Sequence, residues 1–94
     1  METETNTLNE YSELRIGDKV GSTQRMVIAY TKRSERVVGD CYATWVAICV
    51  EETEFHPYVV WTVVARPEGW LAESGDYCKT LEEALEAYKK RGGE

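Results

Sequence analysis

Two stretches of this chain are apolar on both sides of an extended backbone, and that constrains the fold more than any other feature. In residues 41–50, Tyr42, Thr44, Val46, Ile48 and Val50 fall on one side, opposite Cys41, Ala43, Trp45, Ala47 and Cys49. Residues 58–65 repeat the arrangement, with Tyr58, Val60, Thr62 and Val64 opposite Val59, Trp61, Val63 and Ala65. Short runs this rich in β-branched and aromatic side chains argue for strands rather than helices. A strand with two apolar faces belongs in the middle of a sheet, and both faces of that sheet then need a cover.

The flanking elements fit one small domain. Residues 23–32 read as a more amphipathic strand, with Met26, Ile28 and Tyr30 on one face and Arg25, Val27, Ala29 and Thr31 on the other. Arg66-Pro67-Glu68-Gly69 has Pro and Gly at the positions a type I turn favours, so a hairpin leads into a fourth strand over residues 70–77. Thr80-Leu81-Glu82-Glu83 is a capping box. Leu81, Ala84, Leu85 and Tyr88 follow at helical spacing as one apolar stripe. Acidic residues open that helix, Lys89, Lys90 and Arg91 close it, and Gly92 ends it. Leu8, Tyr11, Leu14 and Ile16 fit either a short helix or a short edge strand. The expected architecture is α+β: an antiparallel meander of about four strands with a C-terminal helix packed on one face.

One helix leaves the opposite sheet face uncovered. Two covers are available: a second copy or partner protein seated on Trp45 or Trp61, or the N-terminal segment folded back. The first makes the chain a homodimer through the uncovered sheet face.

Charge is unevenly distributed. The 94 residues carry a net charge of -6. Glu2, Glu4, Glu10 and Glu13 lie in a 13-residue leader with no Lys or Arg, while the other 13 acidic and 11 basic residues nearly balance. The expected organisation is an acidic, mobile leader over residues 1–13 and one domain over 14–94. In a meander, Lys32, Arg33, Arg36 and Arg66 gather at one end of the sheet, where Arg25 is read as a neighbour, and Glu51, Glu52, Glu54 and Asp76 at the other. No apolar run approaches the roughly 18 residues of a membrane span. No secretory leader opens the chain, which points to the cytoplasm.

Catalytic and metal chemistry find little purchase. Cys41, Cys49 and Cys78 form no CxxC pair, and eight residues of strand hold the first two roughly 26 Å apart. His56, the only histidine, precedes a proline in a polar loop with no nucleophile at a telling spacing. Neither a calcium loop nor a glycine-rich phosphate loop is present. No enzyme activity, cofactor or metal is expected. A nucleic-acid interface is the alternative, built from the basic loop at residues 32–36 with Tyr42, Trp45, Trp61 and Trp70 as stacking aromatics. A net negative charge opposes it.

From residue 58 to residue 91, a strand, Gly69-Trp70, a second strand and Thr80-Leu81-Glu82-Glu83-Ala84-Leu85 follow one another. This order resembles HicB-like antitoxin domains and small sheet-plus-helix proteins of bacteria and phages. Ser74-Gly75-Asp76-Tyr77-Cys78 stands where those domains carry Pro-Asp-Leu-Pro-Gly. The resemblance implies a protein that binds and neutralises a partner. The functional expectation is therefore a non-enzymatic protein-binding module of phage or mobile-element type that inhibits a host protein. Trp45 and Trp61 would be its anchors, with Arg33, Arg36, Glu51 and Glu52 setting orientation.

Overall fold

A computed structural model describes residues 11–35 and 39–94. Its elements are β1 (Lys19–Val20), β2 (Arg25–Ser34), β3 (Ala43–Val50), β4 (Tyr58–Arg66), β5 (Gly69–Cys78) and α1 (Leu81–Lys90). The strands pair antiparallel in sequence order, so the sheet is a meander of five strands rather than four. The extra strand, β1, spans two residues, too short to show a hydrophobic period. Thr80 Oγ1 caps α1 by accepting from the Glu83 amide at 3.1 Å, and the Glu83 carboxylate accepts from the Lys79 amide at 3.0 Å.

In β3 and β4 the two faces are those the alternation predicts, but Tyr42, expected on the Val46 side, lies before β3 begins and packs against the opposite, Trp45 side. Val46, Ile48 and Val60 form one cluster with Cys78, Ala84 and Tyr88 beneath α1. Trp45, Ala47, Cys49, Val59, Trp61, Val63 and Ala65 form the other. In β2 the predicted faces are wrong beyond Val27. Val27 pairs with Cys49 and Ala29 with Ile48, leaving Ile28 as an extra residue. Such a bulge shifts the alternation by one, so Ala29 and Thr31 join the helix side while Tyr30 and Lys32 turn to the other. A second bulge falls at Arg33.

These bulges, with a third in β5, curl the sheet until β1 touches β5. The concave face closes around Trp45 and Trp61, and residues 11–14 strap the remaining opening. Leu14 is 1 % exposed within the concave core. The Tyr11 ring meets Trp45 edge-on at 6.0 Å, and the Trp70 indole N–H donates to the Ser12 carbonyl at 3.1 Å. Lys32 donates to Tyr11 Oη at 2.7 Å and to Glu13 at 2.8 Å. These Lys32 contacts hold the Glu13 carboxyl below its ordinary value. The second apolar face is thus covered from within the chain. Residues 11–13, assigned by sequence to the leader, pack on the domain; residues 1–10 lie outside the described residues.

In the third bulge, Ser74 and Gly75 oppose the single residue Trp61, and Ser74 adopts φ 56°. Arg91 spans it. Its guanidinium donates to Asp76 Oδ2 at 3.0 Å, to Thr62 Oγ1 at 3.1 Å and to the Ser74 carbonyl. Replacing Arg91 with Ala is expected to lower stability by about 2 kcal/mol, since hydrogen bonds to charged groups contribute about 1.5–3 kcal/mol each and this side chain is partly solvated. Urea unfolding checks this, with the exposed neighbour Lys90→Ala expected to stay within about 0.5 kcal/mol of the parent.

Candidate protein-binding surface

The sheet end carrying the β3–β4 connection holds the best-defined surface feature. The loop over residues 51–57 is short, acidic and internally bonded. Glu51 N–H donates to the Pro57 carbonyl at 2.8 Å, and Glu54 N–H to the Glu51 carbonyl at 3.1 Å. The Glu51 carboxylate accepts from the Thr53 amide at 3.2 Å and the Thr53 hydroxyl at 3.0 Å, and these two bonds hold its pKa below the usual carboxylate range. Arg25 pins the loop from behind. It is 3 % exposed, and one guanidinium nitrogen donates to the His56 and Pro57 carbonyls, both at 2.9 Å. Its guanidinium carbon also sits 5.5 Å from the centre of the Tyr77 ring. This places Arg25 at the acidic end, opposite the basic loop that its sequence position suggested.

What the loop presents is Phe55. The ring is 75 % exposed, yet it is held between the His56 ring, edge-on at 4.8 Å, and Lys79 Nζ at 4.5 Å. Lys79 leads directly into α1, so Phe55 lies at the corner where the helix begins. Along this end of the convex face, strand pairing sets Met26, Val50, Tyr58 and Cys78 in one row.

Helix α1 covers only part of that face. Of its predicted stripe, Ala84 and Tyr88 are buried, whereas Leu81 and Leu85 remain 42 % and 41 % exposed. Helical spacing places both leucines on the flank beyond Tyr88. Tyr88 is the residue that reaches β2, through a 2.6 Å hydrogen bond between its hydroxyl and Thr31 Oγ1. The leucines therefore overhang the β2 side, where Met26 is 41 % exposed and Ile28 half-buried. This end of the molecule therefore carries the row Met26, Val50 and Tyr58, Phe55 beside the residue that leads into α1, and the exposed helix residues Leu81 and Leu85, here called the apolar corner. Glu51, Glu52 and Lys19 stand beside Met26 and Val50, Glu54 belongs to the same loop, Lys79 stands against Phe55, and Lys89 follows Leu85 by one helical turn. A shallow recess of about 330 Å³ between Met26, Val50, Glu51 and Glu52 continues the corner.

The six residues singled out from sequence do not assemble. Trp45 and Trp61 are 0 % and 6 % exposed and fill the concave core, so neither presents an anchor at the surface. Arg33 lies toward the other end of the sheet and donates to the Gly92 carbonyl at 3.2 Å. Arg36 is outside the described residues. Glu51 and Glu52 do flank the corner. Phe55, Leu81, Leu85 and Met26 were passed over. A signal existed for Phe55: the chain's single phenylalanine stands in its most polar loop, where burial is least available.

The basic end is less basic than its composition suggests. Lys32 pairs with Glu13 at 2.8 Å and Glu35 at 3.6 Å, and Arg66 with Glu68 at 3.5 Å. Asp76, expected to add to the acidic end, is bound by Arg91 at 3.0 Å. Of the four aromatics considered for base stacking, Tyr42 and Trp70 are half-buried against the concave core and the two others lie inside it. The three cysteines are free thiols, and burial pushes Cys49 up to about 12 and Cys78 above its ordinary value. Among the described residues no cluster of His, Cys, Asp and Glu is placed to hold a metal ion, and no helix is long and apolar enough to cross a membrane.

No protein-family model matches the chain, and no curated protein or solved structure does either.

Proposed function

We propose that this chain is a non-enzymatic protein-binding module whose contact surface is the apolar corner around Phe55. The carrying observation is the pinned loop. Phe55 is three-quarters exposed while the backbone on either side of it is fixed by Arg25 and by bonds within residues 51–57. A large apolar side chain presented on an ordered backbone binds without a loop-ordering cost, and exposed aromatics of this kind dominate interface energetics. The carboxylates around it favour a partner with basic residues beside an apolar patch. They disfavour nucleic acid, and they disfavour a second copy docked corner to corner, which would set like charges together. The resemblance of residues 58–91 to HicB-like antitoxin domains supports the same class, in which occupying a partner protein inhibits it. A phage or mobile-element protein acting on a host protein is the setting this reading favours.

The test compares capture from native-host lysate by the parent chain, Phe55→Ala and Arg33→Glu. Because Phe55 is so exposed, its replacement is expected to leave stability within about 0.5 kcal/mol of the parent. Affinity for the captured protein should fall roughly thirtyfold, corresponding to about 2 kcal/mol for an aromatic anchor. Arg33→Glu, toward the opposite end of the sheet, should bind like the parent. Retention of one partner by all three proteins with equal affinity would remove this surface from consideration.

A further inference from the structure

The corner has the dimensions and chemistry of a seat for one more helix. Strands lie about 4.8 Å apart and packed helices about 8–10 Å apart, so a helix covers roughly two strands. Helix α1 rests mainly on β3, β4 and β5; on β2, Thr31 bonds the Tyr88 hydroxyl and Ile28 and Ala29 pack against the cluster that holds Ala84 and Tyr88. The strip left beside it is bounded by Leu81 and Leu85 on α1 and by Met26 and Ile28 on β2, with Val50 and Tyr58 as its floor. The convex face is therefore left partly open on its β2 side, at Met26 and beside the exposed Leu81 and Leu85.

We infer that this strip receives an amphipathic helix from a partner protein, lying alongside α1 with its apolar stripe against Met26, Leu81 and Leu85 and with Lys or Arg on its flanks. The inference rests on the protein-binding reading above and adds the form of the ligand. Charge complementarity selects the occupant. Glu51, Glu52 and Glu54 stand at the loop end of the strip with Lys19, while Lys79 and Lys89 lie on the α1 side, so a helix whose cationic residues reach the loop end gains attraction there. Apolar anchors at i, i+3, i+4 and i+7 are how a groove of this kind reads a helix.

Two synthetic 14-residue peptides of identical leucine and lysine content are the probes. One places leucine at helical spacing and the other alternates leucine with lysine. Titration of the full chain with each, followed by fluorescence anisotropy and far-ultraviolet circular dichroism, reads affinity and helix formation. The helical-period peptide is expected to bind at least about tenfold more tightly than the alternating one and to gain helicity on binding. That affinity should drop about tenfold or more in Leu85→Asp and fall as salt is raised. Leu85 is already substantially exposed, so its replacement leaves the fold intact, and a thermal melt verifies this. If the two peptides bind equally and both are weakened by Leu85→Asp, the protein-binding surface stands and the helical ligand is overturned. If Leu85→Asp changes neither affinity, or neither peptide binds, the helix seat is overturned, while the Phe55→Ala capture decides the protein-binding surface separately.

Discussion

Replacing Trp61 with alanine should cost about 3–5 kcal/mol, the range for deleting a large buried aromatic. A domain of this size is stable by roughly 5–15 kcal/mol, so such a loss brings it close to unfolding at room temperature. Trp61 is 6 % exposed in the concave core, and its ring lies between two backbones. A Cβ built on Gly21 would stand 2.5 Å from the far carbon of the indole, and one built on Gly75 would stand 2.6 Å from its nitrogen. Gly21 begins the turn after β1, and Gly75 lies in the β5 bulge. The indole thus joins the two ends of the sheet across the curl, and its removal leaves a void bounded by strand edges. Gly21→Ala attacks the same contact from the other side and adds strain, because φ there is +81°. Both variants are measured by urea unfolding. A loss below about 1 kcal/mol for Trp61→Ala would show that the curl is closed by something other than this ring.

The second large effect is expected at Arg25. Changing it to Met keeps most of the apolar stem but removes the guanidinium, leaving the His56 and Pro57 carbonyls without their donor. The two charge-assisted bonds and the newly unsatisfied acceptors together correspond to about 2–4 kcal/mol. The damage should be local as well as global. Amide exchange at Glu51 and Glu54, whose N–H groups close the loop, should quicken about tenfold or more relative to the β3–β4 ladder. Arg25→Lys should recover only part of the effect, because a compact ammonium lacks the guanidinium's fixed planar fork of donors. An Arg25→Met chain with unchanged stability and unchanged loop exchange would contradict the pinning role. It would also remove the reason that Phe55 is held in place.

Much of the architecture is legible in the residues. The period of two in β3 and β4 predicts both of their faces, because those strands pair in unbroken register from Ala43–Ala65 to Val50–Tyr58. The capping box places the start of α1 correctly, because it depends only on neighbours along the chain. The helix stripe is half right: Ala84 and Tyr88 face the sheet, but a single short helix on a curved face cannot bury Leu81 and Leu85 as well. In β2 the alternation misleads, since one extra residue at Ile28 exchanges the faces of all that follows and no composition marks that residue. The candidate site was less legible still. Glu51 and Glu52 could be placed at a sheet end from topology. That Phe55, Met26 and the two leucines stay exposed at this end depends on pairing across strands and on where α1 settles on the sheet, with Tyr88 bonded to Thr31.

The two strands that are apolar on both sides required that each sheet face be covered, and local chemistry required a helix over one of them. Both requirements follow from side-chain period and capping, which act over a few residues. Which material covers the second face is a long-range outcome. Three bulges bend the sheet, Gly21 and Gly75 let their backbones close on Trp61, and residues 11–14 fill the remaining gap. Curvature therefore places Trp45 and Trp61 in the interior instead of on a partner's surface. The apolar excess reappears on the convex side, beside a helix too narrow to cover it.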